Sequence, residues 1–305
     1  MLKDLKEGNR ATERVLIKSI DERDGQSGAY FHLDFSDGET DMSANAFRLN
    51  RDLALSLRGK VADIDIKQKN GYINVDSIRV VEDEDPSRFL AHAPINIEMG
   101  MTTIYSKISS IQDDALREVT EYLVRSNEDR FCSWAAGKSM HHDCLQGLLY
   151  HVCRMLISGE YICRVYTSLD YGLMVAGIIL HDIGKLQEMV TDEFGVTEYT
   201  VEGNLFGHLY LGPVMIDDAC RDLGIDPKAE RIMLLKHMIV SHHKTQEQGA
   251  IRTPAIAEAY ALAMLDDLDS RMWMFEKETL KIDPGTVTDN KVKGLDTYLY
   301  RRLHS

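Results

Sequence analysis

The 305-residue chain has no C-x-x-C pair, no apolar run of membrane-spanning length and no excess of basic charge. Its five cysteines (Cys132, Cys144, Cys153, Cys163 and Cys220) are odd in number and carry no zinc-knuckle spacing. They read as reduced thiols packed in helices, not as disulfides or zinc ligands. No stretch reaches the roughly 18 apolar residues of a membrane helix. The first residues, Met1-Leu2-Lys3-Asp4-Leu5-Lys6-Glu7, are charged and lack an apolar signal core. A cytoplasmic protein with no membrane partner is therefore expected. The net charge is −14, whereas nucleic-acid binders usually show a basic footprint. Any nucleic-acid role must rest on local patches, or on metals that neutralise carboxylates. Internal repeats and low-complexity tracts are also absent.

What is present is ordinary for a globular chain: 44% hydrophobic and 28% charged residues, with length enough for two domains. From Glu13 to Val81 the pattern has period two and is rich in turns. Strand candidates are Val15–Ile20, Ala29–Phe35, Thr40–Ala44, Lys60–Lys67 and Tyr72–Val80. Asp24–Gly28, Ser36-Asp37-Gly38 and the hairpin signal Asn70-Gly71 separate them, and a helical piece lies around Arg48–Leu57. Five short strands with a helical insert predict a small barrel, with the OB-fold as leading candidate. Such barrels bind single strands through stacked aromatics and basic residues. The candidates for that face are Tyr30, His32, Phe47 and Tyr72, with Arg48, Arg51, Lys67 and Lys69 beside them. Through Arg88 the barrel region carries 14 Lys and Arg against 18 Asp and Glu, so it contributes −4 of the −14.

The acidic, proline-stopped stretch Glu82-Asp83-Glu84-Asp85-Pro86 opens a linker that continues through Ala93-Pro94. The expected domains are 1–85 (barrel), 86–100 (linker) and 101–305 (all-α bundle with a small β-hairpin insertion). Within the bundle, Ser110 is a candidate cap for a helix with Ile111, Ala115 and Val119 on one face. Asp143–Tyr166 and Asp170–Leu180 read as buried helices, and Met189–Val201 as the hairpin, with Phe194-Gly195 as its turn. Helices follow at Asn204–Leu223, Pro227–His243 and Pro254–Phe275, the last with Thr253 as N-cap and Pro254 in the first turn.

Eight of the eleven histidines fall between His141 and His243. The apolar run Gly177-Ile178-Ile179-Leu180 ends abruptly in His181-Asp182, followed by Gly184 and Lys185. Burying an unpartnered imidazole and carboxylate costs several kcal/mol, a cost that a divalent metal offsets. His151 lies thirty residues upstream in another apolar helix. Downstream come His208, His242-His243 and Asp266, with Asp269 one helical turn further on. Imidazole and carboxylate without thiolate suit Mn, Fe, Mg or Zn. His237 is five residues before His242, off its face, and is set aside.

This order, His…His-Asp…His…His…Asp, together with Lys185, resembles the HD superfamily of metal-dependent phosphohydrolases. The stretches His141–His151, Thr197–His208 and Ser241-His242-His243-Lys244 further resemble the YhaM-type 3′–5′ exoribonuclease family, which joins an N-terminal OB-fold to an HD domain. The chain departs from that family's pattern at Ala263, where a histidine is usual. It also reads Asp266-Asp267-Leu268-Asp269 where Asp-Asn-Leu-Asp is common. Glu247-Gln248-Gly249 lacks the middle aromatic, and Phe47 is the nearest aromatic to a missing barrel tryptophan.

The resemblance implies two divalent ions, manganese first, with Fe, Mg, Co, Ni or Zn as other candidates. His151, His181, Asp182 and Asp266 would surround one ion, and His208 and His242, with His243, the other. Asp182 would bridge them. Two such ions activate a water and stabilise the leaving oxygen of an in-line displacement at phosphorus. Lys185 would then meet a phosphoryl oxygen, and His141 and His142 would bind phosphate or protonate the leaving group. Asp269 would orient a histidine from behind. The implied substrate is single-stranded RNA, with DNA as a second possibility, cleaved to nucleoside monophosphates. The alternative is a small-nucleotide phosphohydrolase or phosphodiesterase with a regulatory barrel. Exposed apolar helix faces leave assembly into a homo-oligomer open.

Overall fold

The computed structural model describes residues 8–25, 28–69, 71–134 and 144–304. It divides into two compact units, Met1–His92 with Thr191–Val196, and Ala93–Val190 with Thr197–Ser305.

The first unit is built on a closed barrel of five strands: β1 (Arg10–Gly25), β2 (Gly28–Ser36), β3 (Asp41–Ala46), β4 (Val61–Lys69) and β5 (Tyr72–Val80), in the order β1-β2-β3-β5-β4. Strict alternation drives it. Phe31, Leu33 and Phe35 of β2 are buried, while Tyr30, His32 and Asp34 take the opposite face. Val15, Ile17, Ile64 and Ile66 complete the interior. Closure comes from a short parallel contact between β3 and β5, at Asn45 and Asn74, and it removes the sheet's open edges. Helix α1 (Arg51–Ser56) links β3 to β4. The Asn50 side chain caps it by accepting from the Asp52 and Leu53 amides. This is the expected OB-like barrel with its helical insert.

The second unit is the expected helical bundle. Its first helices are α2 (Ile97–Ser109), α3 (Asp114–Ser126), α4 (Glu128–Ser133), α5 (Gly147–Val165), α6 (Tyr171–Leu180) and α7 (Lys185–Glu188). The hairpin β6 (Met189–Thr191) and β7 (Thr197–Tyr199) follows, its turn Thr191–Val196 grouping with the first unit, then α8 (Val201–Phe206), α9 (His208–Leu223), α10 (Glu230–Ser241) and α11 (Ala257–Thr279). Helix α6 is the central one, with every residue from Leu173 to Leu180 buried. A helix apolar all round belongs in the middle of a bundle. No helix among the described residues is long and apolar enough to cross a membrane.

Three local expectations are corrected. Ser110 ends α2 and does not start α3; Asp113 caps α3 by accepting from the Leu116 amide at 2.8 Å. Asn204–Leu223 is two helices, because Gly207 at φ +70° breaks the chain between α8 and α9. Thr253-Pro254 precedes α11 without capping it. The Ala255 amide donates to His237 Nε2 at 2.9 Å, and Ile256 stands at the N-cap.

Candidate metal centre

Five helices of the second unit each deliver an imidazole or carboxylate to one place. Asp170 caps α6 by accepting from the Leu173 amide, and the helix ends at His181 and Asp182. His151 comes from the buried face of α5, His242 and His243 from the C-terminus of α10, and Asp266 from α11. His208 opens α9, which crosses the His181-Asp182 turn at Gly184. A Cβ at Gly184 would lie 2.3 Å from the His208 carbonyl oxygen and 2.7 Å from the Gly212 nitrogen. Gly184 has φ −62°, so its value is space and not conformational freedom.

Hydrogen bonds fix the ring orientations. His181 Nδ1 donates to the Ile178 carbonyl at 2.9 Å and His242 Nδ1 to the Ile239 carbonyl at 2.7 Å. A carbonyl oxygen only accepts, so in the neutral ring the Nδ1 carries the hydrogen and Nε2 presents a lone pair. His151 Nδ1 faces Asp269 Oδ2 at 2.7 Å, and His208 Nδ1 faces Glu188 Oε2 at 3.0 Å. The inward atoms then form two groups, His151–His181–Asp266 and His208–His242–His243, each with ligand atoms within 4.8 Å of one another. Asp182 lies between them. Its Oδ2 is 3.3 Å from His181 Nε2, and its Oδ1 is 3.7 Å from His208 Nε2 and 3.8 Å from His242 Nε2.

The site fits a divalent cation on its own chemistry. Asp182 Oδ1, His208 Nε2 and His242 Nε2 are buried with no hydrogen-bond partner among the described residues. Buried acceptors left in that condition are rare and costly. His151 Nε2 and His181 Nε2 stand 3.3 Å apart, and two lone pairs at that distance repel unless a proton or a cation lies between them. Burial opposes charge on His151, but Asp266 and Asp269 outweigh it and raise its pKa to about 9. His242 is driven the other way: burial, with His181 and His243 nearby, holds its pKa well below the ordinary value. Burial would raise the Asp182 carboxyl, but Lys185 and His181 keep it well below the usual carboxylate range. Lys185 is itself buried, its Nζ 2.7 Å from Asp182 Oδ2.

An HD domain model matches residues 148–271, the segment that contains this cluster. The 3′–5′ exoribonuclease YhaM of Bacillus subtilis is 35% identical over 216 residues, covering 71% of this chain and 68% of the relative. The YhaM of a Geobacillus species is 31% identical over 291 residues, 92% of this chain and 89% of the relative. The chain belongs to the YhaM exoribonuclease family. No solved structure matches it.

Two supports of this YhaM-family centre escaped the sequence reading. Glu188 accepts from both His208 Nδ1 and the His208 backbone amide, at 3.0 and 3.1 Å. Gly203 lets it do so, since a Cβ there would lie 2.0 Å from the Glu188 carbonyl oxygen. Behind His151, Arg154 Nε donates to Asp269 Oδ1 at 2.6 Å and Nη1 to Glu276 at 2.8 Å, so Asp269 is held from two sides. Spacing in the sequence gave a partial signal for Arg154, one turn from His151, and none for Glu188. Outer partners of this kind orient ligands and tune their basicity. Glu188→Gln is expected to weaken metal binding about 10- to 100-fold while leaving the fold intact. Metal titration followed by calorimetry measures it, and unchanged affinity would remove Glu188 from the centre.

On the barrel, Phe47 is 60% and Tyr72 67% exposed, and Tyr30 stacks on Phe47 with ring centroids 5.2 Å apart. Arg48, Arg51 and Lys69 are exposed and Lys67 half-buried. His32 is half-buried, its Nδ1 2.9 Å from Asn45 Oδ1. His141 and His142 lie outside the described residues.

Proposed function

We propose that this chain is a divalent-metal-dependent 3′–5′ exoribonuclease that removes nucleoside monophosphates from single-stranded RNA. The observation that carries the reading is the convergence of buried acceptors on Asp182, in a chain whose relatives are named 3′–5′ exoribonucleases. His151, His181, Asp182 and Asp266 would hold one ion, and His208, His242 and His243 a second, with Asp182 shared. Manganese is the ion proposed first, and an imidazole and carboxylate set without thiolate also suits Fe, Mg, Co, Ni or Zn. A bound ion pair supplies Lewis acidity toward a water nucleophile and toward the leaving oxygen at phosphorus. Lys185 keeps Asp182 ionised and adds positive charge beside the phosphoryl group. Asp269 and Glu188 hold His151 and His208 in ligating orientation. The exposed Phe47 and Tyr72 and the half-buried Tyr30, with Arg48 and Lys69, would offer base-stacking and phosphate contacts to the strand. The cellular setting proposed is the cytoplasm, where RNA is available.

The test is a 5′-labelled single-stranded oligoribonucleotide incubated with the full chain and Mn²⁺, beside a deoxyribonucleotide of the same sequence. Shortening from the 3′ end with release of nucleoside 5′-monophosphates is expected. Hydrolysis of free nucleotides alone would overturn the reading in favour of a small-nucleotide phosphohydrolase.

Metal affinity should depend on pH with a definite sign. A His151 pKa of about 9 means that the metal-free ring is protonated at neutral pH. A metal must displace that proton, so binding strengthens as pH rises and levels off above about 9. For one displaced proton the change is about tenfold per pH unit. Mn²⁺ titrations between pH 6.5 and 9.5 check the slope, and a pH-independent affinity would count against His151 as a ligand.

A further inference from the structure

Beside the metal centre lies a cleft of about 270 Å³, whose walls include His242, His243, Lys244, Asp266, Asp267 and Arg271. Two cations are fastened there to one carboxylate. Lys244 Nζ lies 2.9 Å from Asp267 Oδ2, and Arg271 Nε lies 2.8 Å from Asp267 Oδ1. The cluster therefore keeps one net positive charge. Two of its members follow proposed ligands directly in sequence, Lys244 after His243 and Asp267 after Asp266. Consecutive Cα atoms are about 3.8 Å apart, so the clamp begins one residue from the ligands on two walls of the cleft.

Lys244 has φ +67°, a left-handed conformation that glycine or asparagine adopts readily and lysine rarely does. The local closure of the turn after α10 does not involve the lysine side chain, whose Nζ reaches across to Asp267. The turn closes through backbone bonds, Lys244 N to the Ser241 carbonyl at 3.0 Å and Thr245 N to the His243 carbonyl at 2.8 Å. A strained residue beside a reactive centre points to a use for its side chain.

Resting on the exoribonuclease reading, we propose that Lys244 and Arg271, aligned by Asp267, bind the phosphodiester one link upstream of the bond being cut. The terminal nucleoside carries only hydroxyls beyond the scissile phosphate, so a cation pair in this cleft serves the strand side. Arg271 presents further guanidinium donors in a planar fork that matches phosphate geometry, and Lys244 adds a point charge. The pair positions substrate and takes no part in ligating metal.

The test uses the full chain with Mn²⁺ and two oligoribonucleotides, one natural and one with a single neutral methylphosphonate at the second linkage from the 3′ end. For the wild type, the neutral linkage should lower kcat/KM about 10- to 100-fold, the range for losing charge-assisted hydrogen bonds. Lys244→Gly combined with Arg271→Gln should lower kcat/KM on the natural strand by a similar factor, mostly through KM. The neutral linkage should then cost the double variant nothing more. Glycine suits the backbone at position 244, and bound Mn²⁺ per chain and the melting temperature report whether the variant is intact. Should it fail to fold, the wild-type comparison of the two strands still decides. A wild type indifferent to the neutral linkage would overturn the proposal while leaving the exoribonuclease reading in place, as would losses that multiply. Failure of the wild type to shorten either strand would overturn the exoribonuclease reading itself.

Discussion

Asp182→Ala is expected to lower kcat/KM on oligoribonucleotides by at least about 1,000-fold, beyond the loss of a single electrostatic donor at a reaction centre. The reason is position. Asp182 Oδ1 faces His208 and His242, while Oδ2 faces His181 and Lys185. On the proposed assignment, one substitution removes an anionic ligand from both groups at once. It also removes the carboxylate 2.7 Å from the buried Lys185 ammonium, and breaking a buried ion pair costs about 3–5 kcal/mol in other proteins. Asp182→Asn separates the two effects, since it keeps the shape and removes the charge. Elemental analysis of bound metal should show less than the wild-type content in both variants. Wild-type metal content and rate in Asp182→Ala would sink the shared-ligand assignment.

Gly184→Ala is expected to be among the most destabilising single changes in the helical unit, by about 3–5 kcal/mol, the upper tail for point substitutions. The added methyl would meet backbone on two sides, the His208 carbonyl and the Gly212 nitrogen, and neither can move without displacing α9. For a unit of this size the melting temperature should fall by about 6–20 °C. His208 would leave its place beside Asp182, so metal affinity should fall with stability. Gly224→Ala is the control. It has a left-handed φ of +68° with nothing within 4 Å, and should cost only about 1 kcal/mol. Thermal unfolding followed by circular dichroism compares them, and equal small losses would show that α9 does not need the bare backbone at Gly184.

Much of the architecture was legible because it obeys simple periodicities. Alternation in Ala29–Phe35 and the Asn70-Gly71 signal located the barrel strands. The apolar run before His181 marked a helix buried on every side. The errors fall where local chemistry competes with tertiary contacts. Ser110 and Thr253 are good capping residues by type, but Asp113 caps α3, and the amide of Ala255 is claimed by His237. Gly207 was invisible as a break because a single glycine within a helical pattern is often tolerated. Gly184 was legible as a position where the backbone turns or packs closely; its ordinary φ and the approach of α9 decide for close packing.

By itself, the amino-acid order determined which residue types are available for chemistry here and on which elements they ride. An imidazole or carboxylate on each of several apolar helices is costly to bury unless they meet, and that cost is legible without coordinates. Only the tertiary structure decided how they meet. It turned Nε2 of His151, His181, His208 and His242 inward by giving each Nδ1 a carbonyl or carboxylate, recruited Glu188 and Arg154 from positions with little or no sequence signal, and set Lys244 and Arg271 on one carboxylate at the edge of the cleft. Ring orientation and cross-helix pairing depend on side chains far apart in the chain, which no local spacing encodes.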